Sequence, residues 1–326
     1  MLGNILMARL VQWEQQIGRR LRLRDLFVFF TVVEYGSMAK AAAKLGVSTP
    51  SISEVIAGLE HALSVRLLDR TPKGVVTTPY GEALLARGRA AFDELRQGIR
   101  DIESIADPHA GEVRIGCPES IAAGLLVPVL ERLSKRYPRL RFHVEQAQIP
   151  TVEFPQLLER KVDLVLARLV KAPVQGRLTE DLSAEVLFDD PYYVVVSERS
   201  KWARRRKIDL ADLVNEPWIM PPLEALGGSF MPEAFRRRGL ELPSLAITTF
   251  SLHLRNNLVG NGEFITVLPR SVLQVYARQH SLKALSIALS IQTSPVAIVT
   301  LRNRTLSPAA LSFVQCAREV ARTLVD

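Results

Sequence analysis

The feature that most constrains this chain is one glycine, Gly46, set between two short helical patterns. Before it, Ser37 is placed to cap a helix carrying Ala39, Ala41, Ala42, Ala43 and Leu45. Side chains that small let another helix approach closely. After it, Ser48 is placed to cap a second helix, with Pro50 in the first turn, where a missing N–H costs nothing. That helix runs from Thr49 to Leu63, and Ile52, Ile56, Leu59 and Leu63 give it a buried stripe. Gly46 supplies a tight turn between the two. Val47 is expected to fill the gap between the helices.

The flanks complete a compact unit. Leu23, Leu26, Phe27, Phe30 and Val33 recur at helical spacing and predict a first helix with one apolar face, ended by Gly36. Downstream, Val75 and Val76 flank a hairpin whose tip holds Pro72, Lys73 and Gly74, which reads as a wing. The N-terminal end of the third helix presents Ser48, Thr49, Pro50, Ser51, Ser53 and Glu54. In a helix-turn-helix that end enters the DNA major groove, where short polar side chains meet base edges and phosphates. Arg70 and Lys73 are placed to contact phosphates near the minor groove. On the pattern alone, Thr49, Ser51 and Ser53 serve equally well as caps and solvated surface.

At 326 residues the chain is too long for one ordinary core. Apolar residues make up 48% and charged residues 23%, a globular composition. No apolar run approaches the roughly 18 residues of a membrane span. The N-terminus lacks the basic start and cleavage site of a signal peptide. Cys117 and Cys316 are the only cysteines, so a disulfide framework is not expected and a reducing cytoplasm fits. The net charge of +8 is compatible with a polyanionic partner and proves little alone.

Four stretches follow one another: an extension over 1–21, the compact unit over 22–79, one long helical pattern over 80–107, and an α/β region over 112–326. Pro108 and Gly111 mark the break before the last. Leu84, Leu85, Ala91, Leu95, Ile99, Ile102 and Ile105 stripe the long helix and imply a partner helix. In the α/β region, 113–116, 140–146, 162–166, 192–196 and 297–301 read as strands, and 121–137 and 154–161 as helices. Strands alternating with helices predict parallel sheets.

The segment Phe29–Leu84 resembles the N-terminal region of the LysR family of bacterial regulators. The matching residues include Phe30, Val33, Gly36, Ser37, Ala41, Ala42, Leu45, Ser48, Pro50, Ser51, Ser53, Ile56, Leu59, Glu60, Leu63, Leu67, Leu68, Arg70, Thr78 and Gly81. The resemblance continues through Val113–Gly116, Asp163–Leu166 and Gly260–Pro269. It implies an α/β protein with an N-terminal all-α winged helix-turn-helix and a C-terminal two-lobed, Rossmann-like effector domain, similar to periplasmic solute-binding proteins. It also implies a sequence-specific regulator of transcription, with double-stranded DNA and a small-molecule effector as partners. An antiparallel linker-helix homodimer and a homotetramer follow from the same likeness. Two positions depart from the family habit: Thr49 stands where Gln is frequent, and Glu54 where Arg is frequent.

Open α/β sheets bind ligands beyond the carboxyl ends of their strands. That rule and the resemblance place an effector pocket at Pro118, Glu119, Ser120, Arg168, Pro222 and Phe264. Arg168, where the chain is expected to leave the first lobe, could grip a ligand carboxylate or form a salt bridge. A small carboxylate or sugar acid fits such a pocket. Cys117 nearby reads as a small buried hydrophobe rather than a redox sensor. The chain shows no Walker loop, HxxxH zinc spacing, GxSxG elbow or CxxC pair, so no enzyme, metal or cofactor is expected. The competing readings are a regulator that needs no ligand and a pure solute-binding protein.

Overall fold

The structure, a computed structural model, describes residues 21–71, 74–107, 110–146, 154–169, 173–222, 230–287, 289 and 295–325. Two compact units divide near residue 95.

In the first unit, α1 (Leu23–Tyr35), α2 (Met38–Leu45) and α3 (Thr49–Leu63) precede a hairpin of β1 (Leu68–Thr71) and β2 (Gly74–Thr77). The helix α4 (Pro79–Ala106) follows. Local chemistry explains the boundaries. Ser37 accepts a hydrogen bond from the Lys40 N–H, and Ser48 one from the Ser51 N–H. Gly46 ends α2 at φ 67°, a left-handed position that favours glycine. The hairpin pairs Arg70 with Val75, and the Val75 N–H donates to the Gly36 carbonyl, which ties the wing to the end of α1. Glu60 Oε1 accepts from the Leu67 and Leu68 N–H groups at 2.7 and 3.2 Å, fixing the entry to β1.

Two sequence expectations change here. The buried face of α1 is Leu26, Val28, Phe29 and Val32, while Leu23 and Phe27 are half exposed. The predicted stripe marks a second face, where Phe27 and Phe30 meet Phe92 of α4 at ring separations of 6.3 and 5.4 Å. The spacing is helical, but α1 packs on two sides. Val47 does not fill the inter-helix gap and is 39% exposed; Met38, Ile52 and Ile56 occupy the core instead.

In the second unit, β3 (Ala110–Cys117), β4 (Arg139–Gln146), β5 (Leu164–Arg168), β6 (Leu182–Phe188) and a late strand from Val296–Leu301 form one sheet, in the order β4-β3-β5-late strand-β6. The other lobe holds β7 (Tyr192–Ser197), β8 (Trp218–Met220), β9 (Leu245–Thr248), β10 (Thr266–Pro269) and β11 (Leu282–Ala284). The late strand is therefore β12. The second lobe has a three-stranded sheet, β10-β7-β11, and a pair, β8-β9. Helices cover both lobes: α5 (Val127–Arg136), α6 (Pro155–Leu158), α7 (Phe230–Arg236), α8 (Leu252–Gly260), α9 (Arg270–Tyr276) and α10 (Pro308–Val325).

The alternation predicted parallel sheets; β8 and β9 do pair parallel, but the five-stranded sheet is mixed and β10-β7-β11 is antiparallel. β3 runs parallel to β4 and β5, but β12 runs antiparallel to both β5 and β6, and β7 antiparallel to β10 and β11. The chain crosses to the second lobe after Phe188, not after Arg168, and it returns as β12. A strand that re-enters a sheet from another lobe is free of the right-handed crossover that makes neighbours parallel. The predicted helix over 154–161 shrinks to Pro155–Leu158. Phe154 at φ 43° and Arg160 at φ 57° take left-handed conformations that no helix continues through.

The helix expected over 121–137 is also interrupted. A turn at Glu119–Ile121 widens into a π-helical stretch, Ala122–Leu126, before α5 begins. Within this stretch the lobes come into close contact. A Cβ on Gly124 would lie 2.5 Å from Ser271 Oγ and 2.7 Å from Ser271 Cβ. Only glycine lets the first lobe's helix meet the start of α9 that closely.

Candidate DNA-reading helix and effector cleft

Ser48, Thr49, Pro50, Ser51 and Glu54 are exposed at the start of α3, and Ser53 is half buried. Ser48 is the cap, and its hydroxyl also meets Ser51 Oγ at 2.8 Å. Ser53 donates to Met38 Sδ at 3.2 Å, which anchors it toward α2. Thr49, Pro50, Ser51 and Glu54 thus form an open polar edge on a rigid helix, with Ile52, Ile56 and Leu59 buried behind it. Arg70 is exposed on β1, within the same compact unit. Lys73 lies outside the described residues.

At the lobe junction, the expected pocket residues have partners of their own. Arg168 does not present a free fork. Its Nη2 pairs with Asp190 Oδ2 at 2.6 Å, and its guanidinium stacks 5.2 Å from the Tyr192 ring centroid. Burial works against its charge, but Tyr192 and Asp190 outweigh it, and the pKa is raised. Asp190 also accepts from the Ser271 N–H at 2.9 Å and from Ser271 Oγ at 2.6 Å. Arg168 on β5, Asp190 in the crossover and Ser271 on α9 therefore form one clamp between the lobes. Glu119 Oε2 accepts from the Leu252 N–H at 2.9 Å. Its carboxylate occupies the start of α8, where helix dipole and free N–H groups favour an anion.

The remaining expected residues are placed less centrally. Pro118, buried, holds the N-cap position before Glu119 and offers no side-chain acceptor. Ser120 is half buried in the turn that follows. Pro222, half buried, follows β8. Phe264 packs, half buried, on the cluster of Leu252, Val259 and Leu268. Cys117 is 2% exposed, and burial raises its thiol pKa far above the ordinary value. A thiol held protonated is a poor nucleophile.

Sequence reasoning missed Arg255 and Asn256 on α8, 6% and 1% exposed. Burial pushes Arg255 down to about 10, partly offset by Tyr192 and Glu119. The signal was present: Leu252, Arg255, Asn256 and Val259 stand at helical spacing, so two polar residues fall on the apolar face.

A winged helix-turn-helix joined to a two-lobed α/β domain defines a DNA-binding transcription regulator with an effector-binding domain. Residues 23–82 match the family described as "Bacterial regulatory helix-turn-helix protein, lysR family", and residues 106–322 match "LysR substrate binding domain". The chain belongs to the LysR family. It is 28% identical to the HTH-type transcriptional regulator GbpR of Azospirillum brasilense, over 93% of this chain and 88% of the relative. It is also 28% identical to the transcriptional dual regulator GltC of Bacillus subtilis (strain 168), over 90% and 96% respectively. Among solved structures, the fold is shared with a full-length OxyR variant from Pseudomonas aeruginosa, with TM-score 0.64, 20% identity, and 91% and 98% coverage. It is shared also with CbnR, a LysR family transcriptional regulator, with TM-score 0.61, 21% identity, and 92% and 99% coverage. These relatives are transcriptional regulators. No helix among the described residues is long and apolar enough to cross a membrane.

Proposed function

We propose that the open polar edge at the start of α3 reads the operator, that the wing grips its phosphates, and that a small acid held between the two lobes controls the outcome. The observation that carries this reading is the exposed row Thr49, Pro50, Ser51 and Glu54 on a capped, core-anchored helix. Short side chains on a rigid element suit base-edge readout. Glu54 can accept from a cytosine N4 amine, which gives this chain a preference that arginine there would not. Arg70, Lys73 and Ser48 contribute backbone contacts. Pro118, Ser120, Arg168, Pro222 and Phe264 border the effector space, and Glu119 senses it through its link to α8.

The chain works as an oligomer. Leu95, Ile99 and Ile102 sit at helical spacing on α4 and are 50%, 59% and 68% exposed. A paired linker helix from a second copy would cover them. No catalytic step belongs to this chain, and we place it in the cytoplasm with the DNA it controls. The rival reading, a cleft closed by its own side chains, draws on the engaged Glu119 and Arg168; the poorly satisfied Arg255 speaks against it.

The test is binding to DNA selected from a random-sequence duplex library. Arg70→Ala should weaken binding to all sequences alike and reduce the salt slope by about 1. Glu54→Ala should instead change the ranking of operator variants. A footprint that never changes with any small acid at saturation would remove the effector from this account, since a ligand shifts only what it binds unequally.

A further inference from the structure

The clamp at the lobe junction leaves two positive charges unevenly served. Asp190 answers Arg168 through Nη2 alone, and Arg168 Nε and Nη1 are buried without a hydrogen-bond partner. Arg255 has less. It makes no ion pair among the described residues, its Nε is buried without a partner, and Nη1 reaches only the Val267 carbonyl oxygen at a long 3.4 Å. The next residue, Asn256, is buried with Oδ1 unpartnered. A buried ionised group costs several kcal/mol unless paired and hydrogen-bonded. Such a group destabilises the protein that carries it unless something else completes it.

Both arginines lie within electrostatic reach of Tyr192, and Arg255 lies within reach of Glu119. Glu119 offsets the Arg255 charge through space, but the two form no ion pair among the described residues, and Glu119 Oε2 accepts from the Leu252 N–H. Asp190 is engaged by Arg168 and Ser271, while donors on Arg168 and Arg255 remain. The Nε edge of Arg255 is a planar fork of the kind that matches an oxyanion bidentately, whereas Arg168, with Nη2 on Asp190, adds single N–H donors.

We propose that Arg255, together with Arg168, which stacks on Tyr192, forms a buried oxyanion-binding site at the lobe junction, and that the effector is recognised through a carboxylate, sulfate or phosphate group there. The inference rests on the reading that an effector binds between the lobes, and it adds the group recognised and the residue that recognises it. Binding at Arg255 would act on α8, and through Leu252 on the Glu119 link between lobes. The site thus couples anion capture to lobe contact.

The experiment uses the full-length chain and thermal unfolding. The probes are sodium sulfate, sodium succinate and sodium gluconate, each against sodium chloride at equal ionic strength, with galactose as a neutral probe. In the parent protein at least one oxyanion should give a saturable rise, roughly 5–10 °C at a hundredfold excess over its Kd. Arg255→Met should abolish that rise. Without any oxyanion, Arg255→Met should melt at or above the parent temperature, because an apolar chain replaces an unpaired buried charge. Arg255→Lys should keep a response at least about tenfold weaker, since a point charge replaces a fork. A lower melting point for Arg255→Met without probes would make Arg255 structural and overturn the proposal. So would an equal oxyanion response in parent and Arg255→Met, or none in the parent. If no oxyanion gives an Arg255-dependent rise while galactose stabilises parent and Arg255→Met alike, the anion site falls and an effector site between the lobes stands.

Discussion

Asp163→Ala is expected to destabilise the second unit by about 3–5 kcal/mol, the range for stripping one partner from a buried ion pair. Asp163 is the shared acceptor of the first lobe. Its Oδ1 lies 2.8 Å from Arg304 Nη2, 2.9 Å from Arg114 Nη2 and 3.3 Å from Arg100 Nη1, and its Oδ2 accepts from the Arg114 N–H at 2.8 Å. Arg304 and Arg114 are buried or nearly so, so neither can turn to water when the carboxylate goes. Denaturant unfolding of the full chain measures the loss, and a change under about 1 kcal/mol would show that the cluster relaxes. The same carboxylate sets an acid limit. Burial opposes its ionisation, but the hydrogen bonds and charges of Arg114 and Arg304 prevail and hold its pKa below the usual value. A depressed carboxyl contributes in full above its unfolded pKa of about 3.9 and loses that contribution as pH falls through the lower folded value. Unfolding below pH 4 should therefore be less steep in Asp163→Asn than in the parent.

Asp190→Ala should cost a similar amount, about 3–5 kcal/mol, for a different reason. It leaves Arg168, with 9% of its side chain exposed, without its counter-charge, and it removes the acceptor of the Ser271 N–H and hydroxyl. One deletion thus unties β5, the crossover and α9 together. Arg168→Met combined with Asp190→Leu should recover most of the loss, since apolar residues can replace a buried pair at little cost. A double variant no better than the single would mean that the Ser271 contacts, not the pair, carry the clamp.

The DNA-binding half was legible because its determinants are local. Ser37, Gly46, Ser48 and Pro50 act within a few residues, and α3 runs from Thr49 to Leu63 as its pattern implied. Strands such as Tyr192–Ser197 and Val296–Leu301 were visible as apolar runs. Their directions were not, because direction depends on where the chain returns from. Arg168 shows the same limit at the site: its place at the end of β5 could be read, but its partner, Asp190, stands beyond β6. Periodicity reports which side is buried and says nothing of φ, so Phe154 and Arg160 shortened a helix unannounced. Arg255 was readable in principle, as a charge on a stripe that ought to be apolar.

The two thiols have a practical consequence. Cys117 is buried beside Arg168 at the clamp, and Cys316 is buried with its Sγ facing the Val129 carbonyl of α5. An alkylating reagent reaches Cys117 only when its surroundings part, whereas Cys316 lines an open groove beside Arg132, Leu311 and Glu319. The labelling rate of Cys117 would then act as a stopwatch for the loosening of the junction, with Cys316 as the reference in the same molecule. A ligand that tightens the junction should slow Cys117 and leave Cys316 unchanged.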